Sequence, residues 1–172
     1  MGRFGDARAV ELLESLLQGE NEALQGLAIW PLAQLGDPRA IEILAEVLQG
    51  EDGPGRSLAA QTLGELGDVR AFEVLARLLR DEDESVQRQM FAEALGRLGD
   101  ARAFEVLVIL FRDESRFVRS SAAKALGQLG DARAVDALVG LLRDEDGVVR
   151  HSAIKALRKL VATNRIRNPL RS

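Results

Sequence analysis

This chain is expected to fold as an all-α, right-handed solenoid of about five stacked two-helix repeats. Three features of the sequence point there. LGDARA stands at 98–103 and again at 129–134, preceded by FGDARA at 4–9, LGDPRA at 35–40 and LGDVRA at 66–71. The aspartates of these stretches are Asp6, Asp37, Asp68, Asp100 and Asp131, spaced by 31, 31, 32 and 31 residues. Each unit also holds two apolar stretches with helical spacing. A fixed period of this size marks supersecondary units, each too thin to bury its own apolar face until a neighbour stacks on it.

The first helix of a unit follows the aspartate. In DVRAFEVLARLLRD (68–81), Ala71, Phe72, Leu75, Leu78 and Leu79 recur on one helical face. Asp68 precedes that face as an N-cap, its carboxylate accepting from early helical N–H groups, and Asp6, Asp37, Asp100 and Asp131 are assigned the same structural role. Pro38, directly after Asp37, suits a first helical position, where no donor is needed.

The second helix follows an acidic turn, whose carboxylates favour the positive end of a helix dipole. In RFVRSSAAKALGQLG (116–130), Val118, Ala122, Ala123, Ala125, Leu126 and Leu129 form the buried face. The closing LG supplies a left-handed residue that stops the helix. LGDARA is therefore a corner that every repeat must turn: helix end, glycine stop, aspartate cap, next helix start. The extra residue behind the spacing of 32 falls in RDEDESVQR (80–88), in the acidic turn before Val86, because surface turns absorb single insertions cheaply. No Pro/Gly/Ser-rich linker interrupts the pattern. We therefore read residues 1–162 as a single solenoid with units near 6–36, 37–67, 68–99, 100–130 and 131–162, and residues 163–172 as a basic, frayed tail.

Composition excludes several classes of function. The chain has no cysteine, hence no disulfide frame, no thiolate nucleophile and no Cys-ligated zinc. Its one histidine, His151, leaves no pair for a histidine-based metal site, so no metal and no cofactor are expected. His151 also has no nucleophile or carboxylate partner nearby in sequence. RDEDES and RDEDG lack the spaced ligands, the mid-loop glycine and the closing glutamate of a calcium-binding EF-hand.

Charge is unevenly spread. Residues 1–149 carry 16 basic against 27 acidic side chains, a balance of −11, and all seven remaining basic residues lie from Arg150 onward. An acidic body disfavours nucleic acid, whose phosphates need a continuous basic face. The basic end reads as a solvated tail; contact with RNA, DNA or an acidic protein is the alternative, although no aromatics are interleaved for base stacking. No apolar run reaches membrane-spanning length, no signal-peptide core opens the chain, and Asp6 breaks the myristoylation pattern after Gly2, so the expected location is cytoplasmic.

The unit GDxRAxxxLxxLLRDEDxxVRxxAxxALGxLGD resembles the short HEAT-like repeat of the bilin-lyase (PBS lyase) type, and also artificial repeat proteins built on that consensus. The resemblance covers roughly residues 3–162. It implies first helices on the convex side, second helices on the concave side, and partners seated on the concave face. Three departures stand out. Gln25 occupies the column of Arg56, Arg88, Arg119 and Arg150; Pro31 lies inside a second helix, where it should kink it; and the last unit ends LRKLVA rather than LGxLGD. The opening RFGD reads as the tail of a preceding helix, consistent with a longer solenoid or with a partner covering that end.

The candidate binding residues are positions of the second helices that fall off the buried stripe by helical phase. They are Leu27, Trp30, Leu58, Gln61, Met90 and Glu93 towards the N-terminal half, then Lys124, Lys155 and Lys159, with Ser121, Ser152, Gln34, Glu65, Arg97 and Gln128 in the same columns. This surface runs from apolar to polar and basic. Trp30 beside Leu27, Leu58 and Met90 has the character of a binding hot spot; alternatively, Trp30 folds inward beside Pro31 and plugs the first unit. A second patch is Val108 and Ile109, which make FEVLVILF (104–111) apolar nearly all round; it is either covered by something or a tolerated exposure.

The repeated Asp and Arg residues occur once per unit, unlike catalytic residues, and read as caps and inter-repeat ladders. The functional expectation is a non-catalytic scaffold that binds a protein or peptide on its concave face, with a homodimer through the same patch as a variant. By resemblance, the alternative is a bilin lyase subunit or tetrapyrrole-handling chaperone. A third reading is a nucleic-acid-binding HEAT-like protein.

Overall fold

A computed structural model describes residues 7–19, 22–35, 39–49, 54–81 and 84–167. Among these residues there are ten α-helices and no strand. They are α1 (Ala7–Leu17), α2 (Glu22–Gln34), α3 (Ala40–Gln49), α4 (Pro54–Leu66), α5 (Val69–Asp81), α6 (Ser85–Leu98), α7 (Ala103–Ile109), α8 (Arg116–Leu129), α9 (Ala134–Leu141) and α10 (Gly147–Arg167). A single 3₁₀ turn, Leu110–Arg112, follows α7.

The odd-numbered helices form one layer and the even-numbered helices the other. Each first helix packs on its own second helix, and the second helices stack directly on one another from α2 through α10. The first helices bury a narrow stripe: in α5 it is Ala71, Phe72, Leu75, Ala76 and Leu79. These residues join Ile29, Leu32, Leu63, Phe91, Leu95, Leu126 and Leu160 of the second layer in one continuous core. Each fully buried Leu, Ile or Phe stabilises the stack by about 1.5–3 kcal/mol.

The second helices approach at backbone contact. Gly64, Gly96 and Gly127 face Ala94, Ala125 and Ala156 of the next second helix. A Cβ added at these glycines would lie 2.7 Å from Ala94 O, 2.6 Å from Ala125 Cα and 2.8 Å from Ala156 Cα. The first helices touch one another much less. The layer with the closer spacing is the shorter one, so the stack bends towards the second helices and they line its inner face.

The corner between repeats is visible in atomic detail. Gly67, Gly99 and Gly130 have φ of 66°, 73° and 74°, the left-handed conformation that ends a helix without a Cβ clash. Gly130 N–H donates to Leu126 O at 3.3 Å. The final helix does not turn here: Val161 and Ala162 replace the glycine and the aspartate, and α10 runs on to Arg167, into the segment read from sequence as a tail. Pro31 lies inside α2, and the helix continues through it.

Candidate functional site

The repeated charges build two ladders. On the outer side, Asp68, Asp100 and Asp131 each accept a hydrogen bond from the backbone N–H two residues on, at 2.9 Å in every case. At Asp68 that N–H lies in the first turn of α5, but α7 and α9 begin only at Ala103 and Ala134, so Asp100 and Asp131 close a turn ahead of the helix rather than capping it. The arginine at that second position folds its side chain back onto the same carboxylate; Arg102 Nη2 donates to Asp100 Oδ2 at 2.7 Å. It also reaches the previous repeat. Arg102 pairs with Glu73 at 2.7 Å, donates to Val69 O at 3.0 Å and lies 4.3 Å from the Phe72 ring centroid. Arg133 stacks on Phe104 in the same way at 4.4 Å. The Arg70, Arg102 and Arg133 guanidiniums hold the carboxyls of Asp68, Asp100 and Asp131 below their ordinary range. Asp6 and Asp37 lie outside the described residues.

A second ladder lies between repeats. Arg88 Nε donates to Asp113 Oδ2 at 2.8 Å, and Arg119 Nε to Asp144 Oδ2 at 2.8 Å, each across to the following repeat. Arg119 and Asp144 are almost buried, with side chains 9% and 8% exposed. Hydrogen bonding to Arg119 holds the Asp144 carboxyl below its ordinary value against the opposing effect of burial. These aspartates and arginines are fully engaged with one another and with backbone, which suits joints rather than chemistry.

The binding candidates divide between surface and interior. Leu27 is 71% and Trp30 46% exposed, one helical turn apart on α2. The interior of the first unit is filled instead by Ala28, Ile29 and Leu32. Leu58 and Met90 are half-buried and rest against the core. Gln61, Lys124, Lys155 and Lys159 are exposed, and Glu93 is half-buried. On the outer layer, Ile109 is 71% exposed, whereas Val108 is half-buried against the core.

Ser121 and Ser152 are corrected from surface to interior, at 1% and 3% exposure. The physical reason is that α8 and α10 are buried on their neighbour-facing flank as well as towards the first helices, so six consecutive residues of α8, Val118 to Ala123, are buried. Ser152 Oγ shares a 2.8 Å hydrogen bond with Ser120 Oγ, and Ser121 Oγ donates to Glu93 Oε1 at 3.0 Å.

Three of the candidates converge. Gln61 on α4 and Met90 and Glu93 on α6 line a cleft of about 250 Å³, together with Ser57, Val86, Gln89 and Arg97. Arg97 also stands in an off-stripe column of the sequence, whereas Ser57, Val86 and Gln89 escaped sequence reasoning. The only signal for them was their period against Gln61 and Met90, because helix-helix stacking decides which flank opens. Glu93 is fixed in place: its Oε1 accepts from Ser121 and from Gln89 Nε2 at 3.3 Å. The cleft thus offers an apolar slot at Val86 and Met90 beside an oriented carboxylate. His151, the sole histidine, sits on α10, two repeats away. No group of three His, Cys, Asp or Glu side chains able to hold a metal exists among the described residues. No described helix is long and apolar enough to cross a membrane.

A family profile described as HEAT repeats matches residues 1–57, 43–117 and 87–158. The chain is similar in structure to the complex of CpcE and CpcF of phycocyanin lyase from Nostoc sp., at a TM-score of 0.70 and 24% identity. That match covers 89% of this chain and 65% of the other, so the chain spans about two thirds of that lyase chain's length. An engineered protein is similar at a TM-score of 0.62 and 26% identity, covering 88% of this chain and 78% of that one. A designed armadillo repeat protein, solved in complex with the peptide (KR)4, is similar at 0.58 and 18% identity, covering 92% and 88%. The search of curated proteins found no match.

Proposed function

This chain belongs to the HEAT-repeat family, and we propose that it is a non-catalytic scaffold that binds a protein or peptide segment on its inner face. The cleft between α4 and α6 carries this reading. It combines an apolar slot at Val86 and Met90 with a fixed acceptor at Glu93 and the exposed amide of Gln61, the mixture of apolar and polar groups that recognises a peptide. Trp30 and Leu27 extend the apolar surface on α2. Beyond the cleft, the exposed Lys124, Lys155 and Lys159 favour acidic groups on the partner. Caging of the repeated aspartates by arginines supports a structural use of those charges rather than catalysis.

The test is capture from a lysate of the organism that makes the protein. The baits are the wild-type chain and a Trp30→Glu, Gln61→Arg variant; both positions are exposed, and folding is checked by circular dichroism. A protein retained by wild type and lost by the variant supports the inner face as the site. A protein retained equally by both overturns it.

A second reading, a lyase subunit or tetrapyrrole-handling chaperone, is supported by the structural likeness to the phycocyanin lyase complex. It requires a shift of the visible spectrum when bilin is added, which the scaffold reading does not. Nucleic-acid binding finds less support, since the three lysines are confined to α8 and α10 and the body is acidic.

A further inference from the structure

The exposed flank of α9 and α10 repeats half of a joint that the two preceding junctions complete. In the preceding repeat, Arg119 Nη1 is held by the carbonyl oxygens of Asp113 and Glu114, at 2.9 and 3.0 Å. Its Nε and Nη2 then grip the two oxygens of Asp144 in the next repeat, at 2.8 and 3.0 Å. Arg150 occupies the same position one repeat on. Its Nη1 donates to the carbonyl oxygens of Asp144 and Glu145, at 2.7 and 2.8 Å. The fork is therefore set in the same way, and among the described residues no carboxylate meets its Nε–Nη2 edge. A guanidinium pre-oriented by its own backbone is a receptor for a carboxylate.

Beside Arg150 lies an apolar groove of about 410 Å³ formed by Leu142, Ile154, Leu157, Val161 and Ala162, with Arg158 at its edge. Ile154 is 40% exposed, whereas its counterparts Ala92 and Ala123 are covered completely by the following repeat. Arg158 stands where Gly64, Gly96 and Gly127 seat the next helix. A repeat arriving at the spacing of the earlier junctions would collide with it, since at those junctions even a Cβ has no room.

A second copy of the chain is also a poor fit. Its first unit has Gly19 at the position of Asp113 and Asp144, and Pro31 at the position of Ala125 and Ala156. Stacked head to tail, it would bring neither the carboxylate nor the small residue to this face.

We propose that this flank docks an amphipathic helix of another protein, with an apolar stripe against Ile154, Leu157 and Val161 and acidic residues facing Arg150 and Arg158. Arg150, Ile154, Leu157, Arg158 and Val161 share one face of α10 over about 16 Å, or roughly three turns of a partner helix. The site is separate from the cleft between α4 and α6 and does not depend on it.

The test uses a fluorescein-labelled synthetic helical peptide with a leucine stripe flanked by glutamates, titrated with the full chain and followed by anisotropy. A control peptide carries lysines in place of the glutamates. Saturable binding of the glutamate peptide alone is expected, weakening with salt. Arg150→Gln should weaken it about tenfold, as loss of a charge-assisted bidentate contact does; Ile154→Asp should abolish it. Trp30→Glu should leave it unchanged. Ile154 and Arg150 are exposed, and circular dichroism serves to check that the variants keep their helices. No binding, equal binding of both peptides, or insensitivity to Ile154→Asp overturns the proposal. So does sedimentation showing that the chain self-associates through this flank, with Ile154→Asp releasing the monomer.

Discussion

Replacing Gly96 with alanine tests how the repeats are joined. In a free helix the change is favourable by about 1 kcal/mol, because alanine orders at a lower entropic cost than glycine. At this junction the new Cβ would lie 2.6 Å from Ala125 Cα and 2.7 Å from Ala125 Cβ. Relief requires α6 and α8 to separate by about 1 Å, which loosens the most extensive helix pair among the described residues. Overpacking of a rigid site costs up to about 3 kcal/mol, so the net loss is about 2 kcal/mol. For a chain of this size that lowers the thermal midpoint by about 4–8 °C. Gly140 is the internal control, since a Cβ there meets nothing within 4 Å. Gly140→Ala should raise stability by about 0.5 kcal/mol. Thermal melts and urea titrations of the two variants, followed by circular dichroism, give the comparison. A Gly96→Ala protein as stable as the Gly140→Ala protein would refute backbone contact as the joint between repeats.

Further outcomes follow from the charge ladders and the corners. Arg119→Met strands the nearly buried Asp144 and should cost about 3 kcal/mol in urea unfolding, whereas Arg116→Met, which removes an exposed pair with Asp146, should cost less than about 0.5 kcal/mol. The carboxyls of Asp68, Asp100, Asp131 and Asp144 are held below the ordinary 3.8 by their arginines, so the folded chain binds these protons less readily than the unfolded one. Their stabilisation is therefore complete above about pH 4 and is lost as the pH falls through the lowered native values; unfolding midpoints should be flat from neutral pH to about 4.5 and drop below 4, with a shallower drop in Arg119→Met. Gly130→Ala places a Cβ at φ 74° and should cost about 1 kcal/mol in the same unfolding assay.

The corner was legible because its demands are local. A left-handed glycine and a carboxylate that accepts from the backbone N–H two residues on need only a few adjacent residues, and LGDARA spells them. The stacking was legible less completely. The glycine inside the helical pattern recurs in three units, as Gly64, Gly96 and Gly127, against five for the corner glycine, and a recurring helical glycine signals a packing demand. Their partners, Ala94, Ala125 and Ala156, lie about thirty residues on and emerge only from the packed helices. Ser121 and Ser152 show why helical phase misleads in a solenoid. Phase finds one buried face, but a second helix here is covered by its own first helix and by its two neighbours. The cleft depends on the same feature: Gln61, Met90, Glu93 and Arg97 stand at off-stripe positions of the sequence, whereas Ser57, Val86 and Gln89 join them only in the packed helices. The Arg column was visible too, but its partner one repeat away, and hence the open fork at Arg150, was not.

The most direct test of the inner-face account is site-specific photo-crosslinking. A benzophenone side chain is placed at Gln61, beside the cleft, or at Arg77, exposed on the outer layer. The account predicts a partner adduct from position 61 that disappears in the Trp30→Glu background, and none from position 77. An adduct from position 77 alone would contradict it.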